Sequence, residues 1–212
     1  MANVPQEIAR LMQTVAVSED CPRQAELDQR LEETRRRERE TAWKATFLKH
    51  APLRGTEAAW QPKPTFATSA VFEWLANGDG QHLMLRGGVG SGKSTAAACA
   101  VKHWTEPGTD RGSVVWLKPD QLTSAVLHGY DPSAPKLARH VVLDDIGRET
   151  KVNFEEAWCD LLERRDHVVV MTTNLTKKQL RERYDLRVIE RLIATTRAVD
   201  VPGRSMRRGG DF

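Results

Sequence analysis

Eight consecutive residues, Gly87-Gly88-Val89-Gly90-Ser91-Gly92-Lys93-Ser94, have the chemistry to hold a polyphosphate. Their pattern, G-x-x-x-x-G-K-S, is the phosphate-binding loop of nucleoside triphosphatases. The glycines let successive backbone N–H groups turn inward and form a concave anion nest. Lys93 brings a flexible point charge that reaches the outer phosphates. Ser94 offers a hydroxyl to Mg²⁺, which takes hard oxygen ligands. Gly87 to Thr95 are therefore the candidate nucleotide-binding residues, with ATP and Mg²⁺ as the expected cofactors.

A second station lies at Val141-Val142-Leu143-Asp144-Asp145, an apolar run ending in two carboxylates. A phosphate-loop enzyme needs an acid on the strand beside the loop to hold Mg²⁺ through its water shell. Asp144 fits that role, so Ser94 and Asp144 are the candidate metal residues. Asp145 would orient or deprotonate the attacking water. A third station is Val168-Val169-Val170-Met171-Thr172-Thr173-Asn174, an apolar run ending in hydroxyls and an amide. Taken alone, Asn174 reads as a cap for a helix starting near Thr176. Placed after a phosphate loop and an acidic strand end, its amide is expected to face the same crevice, because ligands sit at the carboxyl ends of parallel strands.

The elements that must position these residues are legible as pattern. Short apolar runs at 83–85, 114–117, 141–143, 168–171 and 198–201 alternate with helical stretches. Most lack polar alternation, as strands buried on both faces do. The class is α/β with a parallel sheet. Thr65 to Ala76 reads as a helix with Ala67, Ala70, Val71, Trp74 and Leu75 toward a core. Pro52 to Pro64 reads as a loop.

Before that loop the chain is helical and contributes nothing to the nucleotide site. Val4, Ile8, Leu11, Met12 and Val15 fall at helical spacing, and Ser18 to Pro22 interrupts them. A second helix is expected from about Gln24 to His50. Glu32–Arg36 and Glu33–Arg37 are favourable i,i+4 pairs that let it persist in solvent. Trp43, Phe47 and Leu48 restore an apolar face. The domain reading is a helical partner-binding region over 1–50 and an ATPase domain over 51–212.

The 212 residues suit one main domain with an appendage. A net charge of +3 is too small to define a nucleic-acid partner by itself. Cys21, Cys99 and Cys159 are far apart with no C-x-x-C pair, which argues against a zinc site and against a disulfide framework. The sequence shows neither a signal-peptide layout nor a membrane-length apolar run, so the cytoplasm is the expected location.

The order GGVGSGKST, VVLDDIGRE, Leu161-Leu162-Glu163-Arg164-Arg165, VVVMTTNLT and Tyr184-Asp185-Leu186-Arg187-Val188-Ile189-Glu190-Arg191-Leu192 resembles the AAA+ ATPases of the DnaC/IstB type. These are bacterial and phage replicative-helicase loaders and the ATP-dependent helpers of transposases. The resemblance covers roughly residues 40 to 208. It implies a five-stranded parallel sheet with Asn174 as a polar sensor. Arg191, with Arg187 as second choice, would be the arginine offered to a neighbouring subunit's ATP. Ser205-Met206-Arg207 looks like the family's closing S-x-R, in which Arg207 senses the γ-phosphate in cis. The helical C-terminal lid of many AAA+ proteins is expected to be absent. Read from the residues alone, Arg187 and Arg191 are a surface helix with ordinary ion pairs, for example to Glu182 or Glu190.

The expected function is an ATP-hydrolysing helicase loader in DNA replication. It would self-associate into a ring or spiral and contact a replicative helicase and DNA, single-stranded by preference. A transposition helper that binds DNA and recruits a transposase is the alternative. A small-molecule kinase and a non-hydrolysing nucleotide-dependent module are the rivals from other classes. The kinase leaves the TTN stretch unexplained.

Overall fold

The computed structural model describes residues 22–51, 59–77, 81–108, 112–127, 138–150 and 152–203. The chain divides into two compact units, with the break between Ala42 and Trp43. The expected apolar stripe at Val4 to Val15, Cys21 and the Ser205–Arg207 motif lie outside the described residues.

The first helix, α1 (Pro22–His50), runs for 29 residues. Every described residue from Glu26 to Ala42 is exposed. With almost no tertiary burial there, local terms hold the helix, chiefly the helix propensity of its straight-chain residues. The Thr34 and Thr41 hydroxyls donate to the carbonyls of Arg30 and Arg37, at 2.9 and 2.8 Å.

The second unit is a three-layer α/β sandwich. Its elements are α2 (Phe66–Asn77), β1 (His82–Arg86), α3 (Lys93–Trp104), β2 (Val114–Leu117), α4 (Pro119–Leu127), β3 (His140–Ile146), α5 (Phe154–Glu163), β4 (Val168–Thr173), α6 (Lys177–Arg183), α7 (Leu186–Thr195) and β5 (Thr196–Asp200). The five strands form one sheet in the order β2-β3-β4-β1-β5, and every pairing is parallel. The expected strands are all present. The last begins earlier than the apolar run suggests, at Thr196, because it follows α7 without a loop.

Strand periodicity sorts the core into two. Leu83 and Leu85 of β1, Val142 of β3 and Val170 of β4 pack with α2 and α3 on one face. Met84, Val141, Leu143, Val169 and Met171 point the other way, against Phe154, Trp158, Leu161 and Ile189 of α5 and α7. The end of α1 joins the first of these cores. Phe47 is fully buried there, and Trp43 meets Trp60 edge-on with ring centroids 4.9 Å apart. The Lys102 ammonium lies 4.3 Å from the centre of the Trp60 ring and donates to the Trp60 carbonyl.

The acidic strand β3 is not paired with β1: β4 lies between them. Chain order does not determine spatial order in a doubly wound sheet, where each crossover can skip positions. The consequence for the site is direct. The hydroxyls and amide at the end of β4 lie at the same sheet edge as the loop and the acids, Asn174 meeting Lys93 and Thr172 meeting Asp144.

Candidate active site

The loop leaves β1 at Gly87, and two of its glycines are demanded by geometry. A Cβ on Gly87 would sit 2.5 Å from the carbonyl oxygen of Val201, where the chain leaves β5. Gly92 caps α3 with φ of 86°, a left-handed conformation that costs an L-residue about 1–2 kcal/mol. The helix then starts at Lys93 and aims its free N–H groups at the loop.

Lys93 is 5% exposed. Its ammonium donates to the carbonyls of Gly87 and Gly88, at 2.7 Å each, to Ser91 Oγ at 3.2 Å and to Asn174 Oδ1 at 2.9 Å. Burial pulls this ammonium below the usual lysine range, and Asp145 and Asp144 offset only part of the effect. The cap of α6 is Thr176, whose hydroxyl accepts from the Gln179 amide while the Gln179 side chain reaches back. Asn174 is thus released from capping and points its amide at the loop lysine.

Asp144 is 1% exposed, and burying a carboxylate costs several kcal/mol unless it is paired and hydrogen-bonded. Both oxygens have partners. Ser94 Oγ and Thr172 Oγ1 each donate to Oδ1 at 2.7 Å, and Lys118 Nζ reaches Oδ2 at 2.6 Å. Asp145 is more open, its side chain 28% exposed, and it meets the same Lys118 at 3.2 Å.

Asp145 has a φ of 67°. The pairing of β3 with β4 slips between Leu143 and Ile146, so the acids occupy a bulge. Bulges re-aim side chains, and aspartate is among the few residues that tolerate the left-handed region. The Asp145 N–H, taken out of the ladder, donates to Thr172 Oγ1 at 2.9 Å.

Thr172 and Lys118 are members of this site that sequence reasoning did not assign. Thr172 bridges the two acids and was visible only as a hydroxyl at the end of an apolar run. Lys118 follows the β2 run Val114–Leu117 directly. A charge at the carboxyl end of a buried strand was the available signal. Burial lowers its affinity for a proton, but hydrogen bonds and charge from Asp144 and Asp145 outweigh this and raise the ammonium above the lysine range.

The donor set fits a hydrated Mg²⁺. It offers a serine hydroxyl and a carboxylate, both hard oxygens, and the Ser94 proton is directed at Asp144, which leaves the hydroxyl lone pairs for an ion. Among the described residues no group of three or more His, Cys, Asp or Glu side chains converges as a metal cage. Mg²⁺ suits such a sparse site, since it keeps several waters and takes phosphate oxygens.

Arg187 and Arg191 are placed elsewhere. Both face Glu163 at the end of α5, at 3.6 and 2.9 Å, and neither uses the expected Glu182 or Glu190. The reason is packing: α7 buries Val188, Ile189 and Leu192, and this orientation sets the arginines toward α5. Their side chains stay 64% and 47% exposed. Arg207 lies outside the described residues. Among the described residues no helix is long and apolar enough to cross a membrane.

Glu149, in the loop after β3, ties that loop to α6. It accepts from Arg183 Nε at 2.8 Å, Tyr184 Oη at 2.7 Å and the Gly147 N–H at 2.8 Å. Burial pushes its carboxyl up, yet these donors bring it net below the usual glutamate range.

No family model and no curated protein sequence matches the chain. Solved structures do. A crystal structure assigned provisionally as a primosome component from Streptococcus pyogenes serotype M3 aligns with a TM-score of 0.50 at 23% identity, over 71% of this chain and 83% of that one. AMPPCP-bound DnaA from Aquifex aeolicus aligns at 0.46 and 18% identity, over 63% and 44%. The same kind of replication initiator bound to AMPPCP and single-stranded DNA aligns at 0.48 and 16%, over 64% and 45%. The chain spans less than half the length of these DnaA structures. With its phosphate loop and all-parallel five-stranded sheet, the chain shares the α/β fold of that primosome-component structure.

Proposed function

We propose that this chain is a Mg²⁺-dependent ATPase that controls a replicative DNA helicase on DNA, in the manner of a helicase loader. The observation that supports hydrolysis is the convergence of Lys93, Ser94, Asp144, Asp145 and Asn174 at the carboxyl ends of three neighbouring strands. Lys93 and the loop N–H groups neutralise the β- and γ-phosphates. Ser94 and Asp144 would hold Mg²⁺, which would supply charge neutralisation at the transferring phosphoryl group. Asp145, the more exposed acid, takes the proton from the water whose oxygen attacks the γ-phosphorus. The bond to the β–γ bridging oxygen breaks, giving ADP and phosphate. Asn174 positions that water or the γ-phosphate.

Arg191, or Arg187, completes the site in a neighbouring copy. An arginine supplied across an interface stabilises charge that develops in phosphoryl transfer. Two exposed guanidiniums sharing one carboxylate retain the positive charge for that use. The assignment to replication rests on the resemblance in motifs and on the name of the primosome component. The helicase would be engaged by the N-terminal region, whose helix α1 offers the half-exposed Leu27 and Leu31.

The test is association. The full chain and a variant lacking residues 1–42, which keeps the buried Phe47, are assayed for ATP binding and for co-purification with the cognate replicative helicase. The expected result is ATP binding by both and helicase capture by the full chain alone. Capture of a transposase in place of the helicase would give the role to the transposition helper.

A further inference from the structure

The ammonium of Lys118 is a cation that nucleotide binding does not explain. It stands at the carboxyl end of β2, three strands along the sheet from β1, and contacts both acids: Asp144 Oδ2 at 2.6 Å and Asp145 Oδ2 at 3.2 Å. The Ser94 and Thr172 hydroxyls both use Asp144 Oδ1. Oδ2 is thus the oxygen that remains for a cation, and Lys118 holds it. The Lys118 side chain is 49% exposed, so its ammonium can swing to water on its own stem. Lysine suits such a movable role. It is a compact point charge without the fixed planar fork of arginine.

A hydrated Mg²⁺ bound through Ser94 and Asp144 needs the same carboxylate oxygens. A dication and an ammonium a few ångströms apart repel each other strongly even at the effective dielectric of a protein surface. They cannot both sit at full occupancy against one carboxylate oxygen. We propose that Lys118 is the resident counter-ion of the acid pair and exchanges with hydrated Mg²⁺, so that it sets the free Mg²⁺ concentration at which the nucleotide site loads. The inference rests on the ATPase reading and adds a residue that opposes metal binding. Lys118 neutralises two adjacent acids, one of them buried, when no metal is bound. Its charge must then be displaced for the metal to enter.

The full-length protein is titrated with buffered free Mg²⁺ at a fixed, sub-saturating concentration of a fluorescent ATP analogue. Wild type, Lys118→Met and Lys118→Arg are compared. Removing the competing charge should lower the half-saturating Mg²⁺ about tenfold in Lys118→Met, while Lys118→Arg stays within about threefold of wild type. A second readout needs no nucleotide. Mg²⁺ alone should raise the Tm of Lys118→Met more than that of wild type. Lys118→Gln, also neutral and more polar, gives the same comparison if the methionine variant does not unfold cooperatively. An unchanged or higher Mg²⁺ requirement in the neutral variants overturns the proposal while leaving the ATPase reading intact. A wild type that binds no ATP analogue at any Mg²⁺ concentration overturns both.

Discussion

The crevice at the strand ends and the arginine pair of α7 both gather charge, but at different depths. In the crevice Lys93 and Asp144 are nearly inaccessible, and each is met by several hydrogen bonds. On α7 two arginines lean on one carboxylate, with Arg191 and Glu163 47% and 36% exposed. Buried polar networks are rigid and costly to break, whereas an exposed ion pair contributes about 0–1 kcal/mol. The first region is built to hold one geometry. The second can give up its partner at almost no loss of stability, which the proposed role in a neighbouring copy requires.

Variants that separate chemistry from structure test this contrast. Asp145→Asn should lower ATP hydrolysis by at least about 100-fold while ATP affinity stays within about threefold, because only the proton acceptor is lost. Phosphate release and equilibrium binding of a fluorescent ATP analogue check the two halves. Lys93→Ala should weaken triphosphate binding by about 100-fold or more, as expected when a desolvated charge contact is removed. The same titration reads it.

Gly87→Ala acts on the fold that shapes the loop. Its methyl group would come 2.5 Å from the Val201 carbonyl, and relieving that contact should cost about 1–3 kcal/mol, seen in denaturant unfolding. The smallest stability effect belongs to α7. Arg191→Ala should change unfolding free energy by less than about 1 kcal/mol, since its pair with Glu163 is solvent-screened. Loss of several kcal/mol there would make the arginine a structural element and end the contrast.

How much of this was legible in the sequence follows from how local each feature is. The phosphate loop, its flanking strand and the helix after it are contiguous, so spacing and residue type define them. The apolar runs fix the strands because burial on both faces needs no alternation. The placement of β4 between β1 and β3 was not legible. It comes from crossovers that skip a position, and no local pattern encodes it. Thr172 and Lys118 were missed for the same reason: their partner Asp144 is 28 and 26 residues away. The left-handed turn at Asp145 was hidden inside a strand. Glu163, the partner of both arginines, is brought in by the buried face of α7 against α5.

The central claim is that a buried site in one copy is completed by an exposed arginine from the next. It is tested most directly by phosphate release from an equimolar mixture of Lys93→Ala and Arg191→Ala chains, under conditions where mixed assemblies are shown to form. Each variant alone should be inactive, the first for want of bound ATP and the second for want of the arginine. The mixture should recover activity, because Lys93→Ala copies lend Arg191 to ATP held by Arg191→Ala copies. Mixed assemblies as inactive as the separate variants, or full activity of Arg191→Ala alone, would contradict the claim.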